Sequence, residues 1–87
     1  MKPSPNPLVI AAMQRMLLQI QIEVLTHSIL KVRAEAIGQT PAAKEYAELF
    51  SKVCEQHLLK IGDTNPVLSE MLSSEVEKMK RQLERLS

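Results

Sequence analysis

Tryptophan is absent from this sequence, and Tyr46 and Phe50 are its only aromatic residues. It therefore has no aromatic platform on which the bases of a single-stranded nucleic acid could stack. Cysteine occurs once, at Cys54, which excludes an intramolecular disulfide framework and fits a reducing compartment. Glycine occurs twice, at Gly38 and Gly62, too rarely for a glycine-rich loop that cradles phosphate. An excess of one charge is also missing. Eleven Lys and Arg against ten Asp and Glu leave a formal charge of +1, so no long-range field steers the chain toward nucleic acid or anionic lipid. The apolar run from Leu8 to Met13 ends at Gln14 and Arg15. A signal-peptide core needs roughly 7–15 apolar residues and a membrane span about 20. The expectation is a cytoplasmic protein without a cleaved signal or a membrane partner.

What is present is apolar residue in helical order. The 87 residues are 45% hydrophobic and 24% charged, a globular balance in a chain long enough for one domain only. A chain of this size buries about 60% of its unfolded surface, which leaves a monomer marginally stable. The start, Met1 to Pro7, holds prolines at positions 3, 5 and 7 and reads as an extended lead over 1–7. Residues 8–87 read as a single helical domain.

Three pairs punctuate that domain. Asn6-Pro7, Thr40-Pro41 and Asn65-Pro66 each set a good N-cap side chain before a proline. Proline suits the first helical turn, where its missing N–H has no partner to lose. Gly38 and Gly62 precede the second and third pairs, where a left-handed residue ends a helix. The expected fold is all-α, with helices over about 8–37, 41–61 and 66–86 and no strand.

Each segment carries a stripe. In the third, Leu68, Leu72, Val76, Met79, Leu83 and Leu86 recur at steps of three and four, and in the second Ala43, Ala47, Phe50, Cys54, Leu58 and Ile61 do so. The first segment carries two. Leu18, Ile22, Leu25, Ile29, Val32 and Ala36 follow one line, and Ile10, Met13, Leu17, Ile20 and Val24 follow another, rotated by roughly 120°. The second line turns polar after Val24, at Ser28, Lys31 and Glu35.

Length makes the second line informative. A first helix of about 30 residues is roughly 45 Å long, against roughly 30 Å for each of the others. The short link Gly38-Gln39-Thr40 folds the second helix back along the C-terminal half of the first, out of reach of Leu8. Leu8, Val9, Ile10, Met13, Met16, Leu17, Ile20 and Val24 are thus the candidate partner-binding residues, because soluble monomers rarely leave so large an apolar patch uncovered. The competing possibility is a compact bundle in which the third helix splays across them.

Signals for catalysis are weak. Cys54 and His57 stand one turn apart, but a structural zinc site needs four ligands and only His27 remains to join them. His27 lies between Glu23 and Lys31 in a polar ladder. Glu45, Glu48, Glu55 and Glu75 fit exposed helix faces. Neither metal nor cofactor is expected, and no enzyme. Lys78, Lys80, Arg81 and Arg85 form a C-terminal basic cluster interleaved with Glu75, Glu77 and Glu84, whose alternative role is phosphate contact in a dimeric nucleic-acid-binding regulator. The leading expectation is a non-catalytic helical interaction protein. It would be a homo-oligomer, or a subunit or chaperone-like adaptor of a larger assembly, and would complete its bundle by association.

Overall fold

The computed structural model describes residues 6–86, and they form an all-α chain of three helices: α1, Pro7–Glu35; α2, Pro41–Thr64; and α3, Ser69–Leu86. A short 3-10 turn, Pro66–Leu68, leads into α3. Of the expected lead over 1–7, residues 1–5 lie outside the described residues. Asn6 and Pro7 already belong to α1: Asn6 Oδ1 accepts from the Leu8 amide at 2.9 Å, and Pro7 occupies the first turn. Thr40 caps α2 in the same way, its Oγ1 accepting from the Ala43 amide at 3.3 Å.

The two glycines differ in use. Gly38 has φ of 75°, the left-handed conformation that turns the chain out of α1. Gly62 does not end α2, which runs on to Thr64. Asn65 consequently caps no following helix. Its side-chain amide donates to Ile61 O at 3.3 Å and to Thr64 Oγ1 at 2.9 Å, closing the end of α2 instead. Pro66 then opens the 3-10 turn.

The core lies on the first line of α1. Ile22 and Ile29 are fully buried, joined by Cys54, Leu58 and Ile61 of α2, Leu68 of the turn and Met79 of α3. Leu18, Leu25, Phe50, Leu72, Val76 and Leu83 pack around them, half-buried. Two hydroxyls also enter the core. Thr26 Oγ1 donates to the carbonyls of Ile22 and Glu23 at 3.0 Å each, and Ser51 Oγ donates to Ala47 O at 2.7 Å. Each is satisfied within its own helix, so it can be buried without an unpaired polar atom.

α1 is the axis on which both other helices pack, and α2 and α3 touch each other less. The molecule is elongated, with extents of 60 × 26 × 18 Å and a radius of gyration of 16.4 Å. A compact chain of this length would measure about 12 Å.

Candidate docking surface

The first residue of α1 to be even half-buried is Leu18. From Pro7 to Leu17 the helix projects from the bundle as an arm of about 16 Å at the helical rise, exposed all round. The 3-10 turn and the start of α3 lie beside it around Ala12, Arg15 and Met16 with only a shallow groove between them. α3 does not splay across the apolar surface.

All eight candidate residues are exposed, from 40% for Ile10 to 78% for Leu8. At 100° per residue, Val9, Ile10, Met13, Met16, Leu17, Ile20 and Val24 fall within one sector of about 120°, while Leu8 points elsewhere. That sector contains no polar residue from Val9 to Val24. Its centre faces almost directly away from Ile22 and Ile29, so none of these side chains enters the core. Beyond Val24 the same sector holds His27, Ser28, Lys31, Ala34 and Glu35. Five of the residues, Ile10, Met13, Leu17, Ile20 and Val24, advance by steps of three, four, three and four, the spacing of a seam against another helix.

Where the arm joins the bundle, Ile20 and Val24 form one wall of an open groove of about 490 Å³. Its other wall is the end of α2, with His57, Lys60, Ile61 and Thr64. A second apolar strip lies on α2 itself. Tyr46, Leu49 and Val53 are each more than half exposed, and Tyr46 stacks on Phe50 with ring centroids 6.1 Å apart. The i, i+3, i+7 spacing of Tyr46, Leu49 and Val53 marks a face separate from the α2 stripe.

The groups considered for chemistry are dispersed. Cys54 turns into the core, where burial pushes its thiol pKa up and the neighbouring Glu55 carboxylate raises it further. A thiol held protonated is a poor nucleophile and a poor ligand. His57 and His27 are both exposed. Among the described residues no three His, Cys, Asp or Glu side chains are grouped to hold a metal ion.

The basic cluster is split. Lys78, Arg81 and Arg85 fall within about 60° of one another on the outer side of α3, whereas Lys80 borders the groove between α2 and α3 beside Leu59 and Ser73. Lys78 is paired with Glu75 at 3.4 Å.

α1 is also the one helix among the described residues that is long and apolar enough to cross a membrane by length and composition. Comparison of the chain with known protein families, with curated proteins and with solved structures returns no match.

Proposed function

We propose that this protein is a non-catalytic helical interaction module that docks another protein surface through the exposed sector of α1. The observation that carries this reading is the arm itself: from Pro7 to Leu17 no residue is buried or half-buried, yet its outer sector is wholly apolar. Water does not select such a surface, and a soluble chain keeps one where a partner removes it from water. The bundle of α2 and α3 braces the arm by fixing α1 from Leu18 onward.

A protein partner suits the sector better than a lipid bilayer. A span of about 20 residues starting at Pro7 would set Arg15 near the bilayer centre, at a cost of about 2.5–3.5 kcal/mol. It would also draw Leu18 and Ile22 out of the core they share with Leu58, Ile61 and Leu68. The seam spacing asks for a helix, and lipid has no use for it.

The test is the solution mass of the purified chain and of Ile20→Asp and Met13→Asp, by sedimentation, with far-UV CD and vesicle flotation alongside. Docking predicts an assembly that either aspartate disperses while helicity is kept. A monomer that floats with lipid vesicles would refute the reading.

A further inference from the structure

We infer that the occupant of the α1 sector is a second copy of this chain, with the two α1 helices antiparallel and crossing a two-fold axis at Leu17. The inference rests on the docking reading above and adds to it the partner and the geometry.

The amount of surface is right for a pair. The seven residues of the sector together show the equivalent of between three and four whole residues to solvent. At roughly 180 Å² each, that is about 700 Å² per copy, or about 1,400 Å² for two, within the range of a standard stable interface.

The place where the apolar sector stops fixes the arrangement. Beyond Val24 the outward side of α1 stays exposed at His27, Lys31 and Glu35, as it is at Ile20 and Val24 before it, so burial within the bundle does not account for the change of character. The change marks the edge of what lies on top. If the axis passes through Leu17, Ile10 of one copy stands level with Val24 of the other. The helix start at Pro7, ten residues before the axis, reaches only to the level of His27 in the second copy. The covering helix thus ends where the sector turns to His27, Ser28 and Lys31.

Parallel pairing gives the wrong edge. Two parallel α1 helices would continue side by side past Val24, setting Lys31 against Lys31 and Glu35 against Glu35 in adjacent copies. Like charges directly apposed disfavour that partner. Antiparallel pairing sends the two bundles to opposite ends and leaves those polar residues in water. An isologous contact of this kind also closes, so association stops at two.

Cysteine cross-linking over a Cys54→Ala background tests the geometry, since a disulfide needs Cα atoms within about 7 Å. Leu17→Cys, at the axis, is expected to link to its own copy under mild oxidation. Ile10→Cys alone is not, because the two Ile10 positions stand about 21 Å apart along the seam. A mixture of Ile10→Cys and Val24→Cys protein is expected to give the mixed dimer. Leu17, Ile10 and Val24 are all exposed in the single chain, and far-UV CD checks that each variant stays folded. Sedimentation is expected to give twice 9.8 kDa.

Self-linking of Ile10→Cys, or equal linking of all three variants, would overturn the antiparallel pair. It would leave the docking reading standing if Ile20→Asp still disperses the assembly. A monomer at every concentration would overturn the second-copy inference, and if it also floated with vesicles the docking reading would fall with it.

Discussion

A Cβ built on Gly62 would lie 2.8 Å from Cδ2 of Leu72, so α2 and the start of α3 approach each other at the one point of α2 that has no side chain. Gly62 sits inside the helix, where alanine would be favoured by about 1 kcal/mol on propensity alone. The opposing atom is the tip of a flexible leucine, which can move aside at a cost of similar size. Gly62→Ala is therefore expected to change stability by less than about 1 kcal/mol, whereas Gly62→Leu should lose about 1–3 kcal/mol by overpacking. Urea unfolding of both variants measures this. Equal losses in the two would mean that the α2–α3 approach is not limited by side-chain volume.

That glycine also marks where the sequence was legible and where it was not. The caps at Asn6 and Thr40 and the turn at Gly38 depend on one residue's own conformational preference, and the structure uses all three as the local signal suggests. Gly62 carries the same signal, but its use depends on Leu72, ten residues away in sequence, and no local rule contains that. Asn65 follows from Gly62: once α2 continues, the amide that would have capped α3 closes α2. The apolar stripes were readable because period alone decides them. Thr26 and Ser51 were not, since polar residues on a buried line look like errors in it until their hydroxyls are seen bonded to their own helices. The uncovered sector of α1 was legible from helix lengths, because a helix too long for its neighbours must have a free end.

Thr26 gives a prediction of the opposite sense to most core substitutions. Its hydroxyl donates to two carbonyls that already accept helical N–H groups, so nothing is left unpaired if the hydroxyl is removed. Valine keeps the branched shape and replaces the polar atom with a methyl. Thr26→Val is expected to leave stability unchanged or raise it by up to about 1 kcal/mol. A loss greater than that, read from thermal or urea unfolding, would show that the bond to Ile22 O contributes net stability.

Cys54 links stability to alkaline pH. Burial first, and Glu55 second, raise its folded-state pKa above the value in the unfolded chain. Between the two values the unfolded state has released the proton and the folded state still holds it, so stability falls as pH rises through the unfolded-state value, about 8.5, toward the higher folded one. Below about pH 7 the thiol has almost no effect on the slope. Cys54→Ala should flatten this alkaline fall while lowering stability at neutral pH through lost packing. A thiol reagent should modify Cys54 at the rate of unfolding and not directly. Modification at the rate of a free thiol would contradict its burial.

Ile20 and Ile22 stand two residues apart on α1 and answer to different partners: Ile20 is 49% exposed and Ile22 is fully buried. Ile22→Ala removes side-chain volume from the shared core and should cost about 2–5 kcal/mol, a large share of the stability of a chain this short. Its helical signal should collapse at low urea whatever the protein concentration. Ile20→Asp should leave the folded single chain almost untouched, because aspartate there meets water. In the assembly it would bury an unpaired carboxylate against apolar side chains, weakening association by at least about 100-fold, or about 2.7 kcal/mol. The discriminating measurement is unfolding as a function of protein concentration. In the wild type the midpoint should rise with concentration, since association stabilises the folded chain by mass action. In Ile20→Asp that dependence should vanish, and the midpoint should settle at the dilute wild-type value. If both proteins show the same concentration dependence, association does not pass through the α1 sector. If Ile20→Asp unfolds as readily as Ile22→Ala, the arm is not a docking surface held ready by the bundle but a part of the core that stabilises it.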